Sequence, residues 1–204
     1  MTTLPDGVRY IPEALDKSAQ TDLLKEIRAV VAKAPLYTPR MPRTGKAMSV
    51  RMTNCGLLGW VTDKEHGYRY QPTHPVTGEP WPAMPDMLLD LWRTHSDWPD
   101  PPEACLVNFY DGPARMGLHQ DKDEEETRAP VLSISLGDTA VFRVGPADGG
   151  RTCSFRLASG DIVILGGEGR MARHGVDRIL PGTSSLLKDG GRLNLTLRRV
   201  MKAG

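Results

Sequence analysis

Arg192-Leu193-Asn194-Leu195-Thr196-Leu197-Arg198 alternates polar and apolar residues through seven positions. Successive side chains of a strand point to opposite faces, so the three leucines share one face and Arg192, Asn194, Thr196 and Arg198 the other. Upstream of this segment, short apolar runs recur at residues 105–110, 131–136, 140–144, 153–157 and 161–165, and the last run continues over 193–200. Turns such as Asp111-Gly112-Pro113, Asp148-Gly149-Gly150 and Ser159-Gly160-Asp161 divide them. Strands at this spacing, with no helical pattern between them, predict an antiparallel sandwich or jelly roll rather than a βαβ fold.

The first half of the chain reads differently. Ile11, Leu15, Ala19, Leu23, Ile27, Val30 and Ala34 recur at helical spacing, with Pro12 suited to a first turn and Pro35 to a stop, so the pattern predicts a helix over 11–34. A second helix is expected over 84–95, with Met87, Leu88, Leu91 and Trp92 facing inward behind Pro85. Between them, residues 36–81 are rich in Pro, Gly, Thr, Met and Tyr. Lys33, just before it, and Arg40, Arg43, Lys46 and Arg51 in its opening part form a basic run with no acid among them. The expected class is mainly β (α+β). Its parts are a helical buttress over 1–35, an inserted surface region over 36–82, and a helix plus β-sandwich over 83–204, forming one compact domain.

Composition sets bounds. A formal charge of +1 gives no global field for nucleic acid, so such a partner has to be held locally. With 21 Gly and 17 Pro the chain is turn-rich, which suits many short strands. Cys55, Cys105 and Cys153 form no C-x-x-C, so reduced thiols in a cytoplasmic protein are expected. Acids at 6, 13, 16, 22 and 26 argue against a secretory leader, and no stretch is apolar for long enough to span a membrane. Asp123-Glu124-Glu125-Glu126 reads as a mostly solvated acidic turn, and His66, His74 and His95 as surface or cap residues.

His119-Gln120-Asp121 carries the chemistry, together with a lone His174. On one strand His119 and Asp121 would share a face, and His174 would complete a grip from another strand. Two imidazoles and one carboxylate that leave the opposite positions open are the arrangement of non-haem Fe(II) oxygen chemistry. Such a centre needs an electron source, and the polar face of 192–198 suggests one. Two arginines, an asparagine and a threonine turned into a small sandwich are costly without an anion, and a dicarboxylate answers them with paired, charge-assisted contacts. Asn108 and Tyr110 share a strand face just ahead of His119 and are suited to the same ligand.

Further segments narrow the reading: Met48-Ser49-Val50, Met52-Thr53-Asn54-Cys55-Gly56, Gly59-Trp60, Gly67-Tyr68-Arg69-Tyr70, Pro80-Trp81-Pro82-Ala83-Met84-Pro85, His119-Gln120-Asp121-Lys122-Asp123-Glu124, Gly166-Gly167-Glu168 and His174-Gly175. With the 192–198 strand they closely resemble the AlkB family of Fe(II)- and 2-oxoglutarate-dependent nucleic-acid demethylases. The resemblance implies a double-stranded β-helix (jelly roll) with 36–82 as a nucleotide-recognition lid. It implies that His119, Asp121 and His174 bind Fe(II). Arg192 and Arg198 then take the two carboxylates of 2-oxoglutarate, helped by Asn108, Tyr110 and Asn194. Trp60 stacks on a flipped base with His119 near the other face, Met52 lies in the substrate site, Tyr68, Arg69 and Tyr70 contact the nucleotide backbone, and Asp123 meets the exocyclic amine.

The implied reaction is oxidative repair of 1-methyladenine and 3-methylcytosine in single- or double-stranded DNA, with RNA as a further substrate. O2 and 2-oxoglutarate are consumed, and succinate, CO2 and formaldehyde are released. Both lesions are cationic, so an indole face and a carboxylate favour them over neutral bases. The implied protein is a monomer. Three departures lie near the base: Leu165 and Ala172-Arg173 replace aromatic residues of close relatives, and the loop 145–150 differs in length, leaving Arg151 and Arg156 as candidates for one substrate-contacting arginine. The competing readings are a hydroxylase acting on a protein or small molecule, disfavoured by the lid, and a non-catalytic nucleic-acid-binding sandwich, disfavoured by the intact triad and arginines.

Overall fold

A computed structural model describes residues 4–202. In chain order the elements are β1 (Val8–Ile11), α1 (Lys17–Lys33), β2 (Arg51–Gly56), β3 (Gly59–Asp63), β4 (Gly67–Gln71), α2 (Asp86–His95), β5 (Ala104–Tyr110), β6 (Met116–His119), β7 (Val131–Gly137), β8 (Thr139–Gly145), β9 (Cys153–Leu157), β10 (Ile162–Leu165), β11 (Arg173–Leu180) and β12 (Arg192–Arg198). A six-stranded sheet, β1-β10-β7-β12-β5-β2, faces a four-stranded one, β6-β11-β8-β9, and β3-β4 forms a separate hairpin. All the pairings are antiparallel, which gives the expected jelly roll.

The alternation of β12 positions the site. Leu193, Leu195 and Leu197 pack with Leu23, Ile27 and Val30 of α1 and Leu88 and Trp92 of α2, so the helices cover the back of the large sheet. Burying each leucine removes roughly 1.5–3 kcal/mol of apolar exposure. The opposite face of β12 therefore looks into the sandwich, beside Met52, Leu106, Phe142, Val144, Leu165 and Val176.

The first helix is shorter than its periodicity predicts. Ile11 ends β1 and pairs with Ile162, and Glu13 takes a left-handed φ of 52°, breaking the chain before the helix. Asp16 caps α1 by accepting a hydrogen bond from the Ala19 N–H at 2.8 Å. Segment 36–82 is also divided. Its β2 is the edge strand of the large sheet, paired residue by residue with β5, whereas β3 and β4 stand apart.

His74 is not a surface residue. It is buried between Tyr37 and Trp81, its Nδ1 accepts the N–H groups of Val76 and Thr77, and its Nε2 lies 2.8 Å from the Pro35 carbonyl. Cys55 and Cys105 are buried and unpaired, while Cys153 is only partly covered.

Candidate active site

His119 ends β6, and His174 on β11 is its direct cross-strand partner. Gly175 allows the close approach: a Cβ there would lie 2.6 Å from the Met116 carbonyl oxygen. Asp121 does not share a strand with His119. It lies two residues past the end of β6, where the chain turns inward, and is buried. The three ligand atoms nonetheless converge within 4.8 Å of one another. His119 Nε2 and His174 Nε2 lie 3.8 and 3.7 Å from the two oxygens of the Asp121 carboxylate.

The Nδ1 of His119 sits 2.9 Å from the Gly117 carbonyl and that of His174 3.0 Å from the Ala172 carbonyl. A carbonyl only accepts, so each Nδ1 carries the proton and each Nε2 lone pair is free for a metal. Burial pushes His174 down to about 4, against the pull of Asp121, so the ring is neutral at pH 7. Burial pushes the Asp121 carboxyl up, but Arg198, His174, His119 and Arg170 outweigh it and hold it below the ordinary carboxylate range. One anionic oxygen donor set beside two imidazoles on one side of a point is the donor set of a facial Fe(II) centre.

These residues line a cavity of about 560 Å³ that runs from β12 to the hairpin. At its inner end the two arginines differ. Arg192 is buried, donates from Nη2 to Ser135 Oγ at 2.8 Å, and leaves Nε and Nη1 without a partner. The Asn108 Oδ1 is likewise unsatisfied. A buried guanidinium with two orphan donors is strongly unfavourable unless an anion completes it, and a carboxylate matches that fork. Arg198 already has anions. Its Nη2 donates to Asp121 Oδ1 at 2.9 Å, and its Nε faces Glu124 at 3.3 Å. Asn194 shares the strand face with both, donating to Ser133 Oγ at 2.6 Å and accepting from Thr196 Oγ1 at 3.0 Å. The Tyr110 ring lies under the Arg192 guanidinium at 5.2 Å.

Glu124 corrects the reading of the acidic run as solvated. Its side chain is 2 % exposed and bridges Arg170 at 3.0 Å and Arg198, while Glu126, equally buried, pairs with Arg128 at 2.6 Å. Arg170 adds hydrogen bonds to the carbonyls of Asp121 and Ala129. Within the run Asp123-Glu124-Glu125-Glu126 itself, composition does not distinguish the inward carboxylates. The acid three residues after a ligand aspartate and a lone Arg170 behind Gly169 were the only signal.

At the outer end, Trp60 lines the cavity opposite the iron ligands. Asn54 grips its backbone through two hydrogen bonds of 3.1 Å, and Gly59 leaves room for the Trp81 ring, which would lie 2.4 Å from a Cβ. The indole stacks on Tyr68 with centroids 5.5 Å apart and donates from Nε1 to Asp123 at 2.8 Å. Met52 lines the cavity too, joined by Met48 of the quoted 48–50 segment and by Met41 and Met116, to which the sequence reading gave no role. Tyr70 and Arg69 lie off it. The Tyr70 hydroxyl donates to Glu124, and Arg69, on the other face of β4, pairs with Asp63 at 2.8 Å. Neither Arg151 nor Arg156 reaches the cavity; Arg173 stands at its rim, held by the carbonyls of Pro146 and Gly150.

The 2OG-Fe(II) oxygenase superfamily model matches residues 7–198. The alpha-ketoglutarate-dependent dioxygenase AlkB homolog of Caulobacter vibrioides (strain NA1000 / CB15N) is 55 % identical over 204 residues, covering all of this chain and 91 % of the relative. This chain is a member of the AlkB family. The alpha-ketoglutarate-dependent dioxygenase AlkB of Escherichia coli (strain K12) is 41 % identical over 190 residues, covering 91 % of this chain and 87 % of that one. The solved structure of OsALKBH1 superposes with a TM-score of 0.78 at 31 % identity, over 97 % of this chain and all of that one. Fe(II), 2-oxoglutarate and O2 are thus the cofactor and co-substrates of this AlkB-family dioxygenase, and the His119–Asp121–His174 donor set fits the metal.

Proposed function

We propose that this AlkB-family dioxygenase oxidatively removes methyl groups from N-alkylated bases, of the 1-methyladenine and 3-methylcytosine type, in DNA and also in RNA. One observation carries the reading. A single cavity joins the His119–Asp121–His174 cluster to a Trp60–Tyr68 aromatic platform tied to Asp123. A planar, cationic ring inserted there meets an indole face and a carboxylate, both of which favour positive charge.

Bound Fe(II) and 2-oxoglutarate supply the O2-dependent oxidation of the methyl carbon. The residues do the positioning. Arg192, with Asn108 and Tyr110 beside it, receives a 2-oxoglutarate carboxylate. Arg198 orients the Asp121 carboxylate and, with Asn194 and Thr196, completes the polar wall for the other end. The carbonyls of Gly117 and Ala172 keep both imidazoles presented through Nε2. Tyr68 and the basic turn carrying Arg40, Arg43 and Lys46, which flanks Met41 at the mouth, hold the backbone of the substrate strand. Tyr70 and Glu124 secure the hairpin to the core from behind. The reading includes a cytoplasmic monomer, where the unpaired cysteines stay reduced.

A substrate panel tests it. With Fe(II), 2-oxoglutarate and O2, succinate formation should rise strongly on adding a 1-methyladenine oligonucleotide and not on adding its unmethylated counterpart. Equal stimulation by methylated peptides or small amines would overturn the nucleic-acid assignment.

A further inference from the structure

The outward face of the four-stranded sheet is predominantly cationic. Its strands β6, β8, β9 and β11 hold four arginines and one aspartate, with no lysine or glutamate: a net +3 in a chain of net +1. Phe142, Val144, Val176 and Ile179 point into the core, so their neighbours Val141, Arg143, Gly175 and Arg178 point out. Solvated sheet faces ordinarily intersperse both signs. This one does not.

Register arranges the cations in order. Arg173 pairs with Gly145 at the rim of the cavity. Two residues further along β8, Arg143 pairs with Gly175. Two more residues on, Val141 is flanked by Arg178 of β11 and Arg156 of β9, both exposed. The register shift between Val176 and Arg178 is what places both charges: the extra residue, Asp177, pairs with Arg143 at 2.9 Å, and Arg178 takes the outward place beside Val141. Steps of two residues are about 7 Å, close to the interval between phosphates of an extended strand. From rim to last rung the band extends about 13 Å.

We propose that this arginine band is a phosphate track that binds the flank of the substrate strand as it leaves the cavity. The inference rests on the nucleic-acid reading above. Charge complementarity and continuity with the cavity mouth through Arg173 select a polyphosphate backbone as its occupant. Arg156 and Arg178 carry the free charge, because Arg143 is offset by Asp177 and Arg173 is held by carbonyls. The track explains how a nearly neutral chain holds a polyanion. It also makes affinity depend on strand length, since a trinucleotide centred on the cavity does not reach the last rung.

The test compares a 1-methyladenine trinucleotide with a fifteen-nucleotide single strand carrying the same lesion, for wild type and the double variant Arg156→Ser/Arg178→Ser. The KM for the longer strand should rise roughly tenfold at low salt, while the trinucleotide KM stays unchanged. Two lost phosphate contacts should flatten the slope of log KM against log salt by about 1.4. Arg156→Lys/Arg178→Lys should retain most of the wild-type slope. Equal effects on both lengths, or none on either, would overturn the track. If wild type demethylates neither oligonucleotide, the function reading fails instead, and direct titration of the unmethylated longer strand still decides whether the band binds phosphates.

Discussion

The two ends of the cavity are built on opposite plans. The inner end is set on neighbouring strands of the six-stranded sheet, where Asn108, Tyr110, Arg192, Asn194, Thr196 and Arg198 are all buried and most are cross-strand partners. Arg198 is fixed by ion pairs to Asp121 and Glu124, and Glu124 in turn by Arg170. The outer end is a hairpin outside both large sheets, with Tyr68 about half exposed and flexible methionines around the mouth. An invariant small anion and a metal call for fixed donors. A base that differs from one lesion to the next calls for a polarizable, adjustable wall.

Substitutions at the two ends should therefore fail in different ways. The largest effect is expected at Glu124. Its replacement by Ala strands the buried Arg170 and unbalances Arg198, which should cost about 3 kcal/mol and lower the Tm by roughly 10 °C in thermal unfolding. An unchanged Tm would mean that the network adds no stability. Arg192→Ala should weaken 2-oxoglutarate about 100-fold in a direct titration while binding of a methylated oligonucleotide barely changes. Trp60→Ala should do the reverse: lesion binding falls about 5- to 100-fold and 2-oxoglutarate affinity is kept. If both ligands weaken equally in Trp60→Ala, the indole is a core residue and the contrast between the ends collapses. Tyr68→Ala should give the smallest change, about threefold in KM for the methylated strand, through a less rigid Trp60 and a lost contact to the strand's backbone.

What could be read from the chain follows the same division. The inner end was legible because β12 alternates strictly, and its polar face had no other way to be satisfied inside a sandwich. The strands that hold the iron ligands were not. β6 has only four residues, and β11 mixes Arg173, His174, Asp177 and Arg178 with few apolar positions, so neither offers an apolar run. His119 and Asp121 were expected on one strand face, but convergence comes instead from a turn after β6, which no two-residue period encodes. The start of α1 misled because Ile11 and Leu15 fit a helical period by coincidence; the left-handed Glu13 and the Asp16 cap decide the boundary. Tyr70 and Glu124 show the remaining limit. Each has the composition of a surface residue, and only the fold turns them toward one another.

The central claim, that this cavity oxidises a methyl group on a nucleic-acid base, is open to one direct measurement. Anaerobic protein loaded with Fe(II) and 2-oxoglutarate is mixed with a 1-methyladenine oligonucleotide and then exposed to air. The account predicts formaldehyde and unmethylated adenine in equal amounts from the wild type, and neither from Asp121→Ala. If the two proteins are indistinguishable, with no formaldehyde and no repaired base from either, the assignment is wrong.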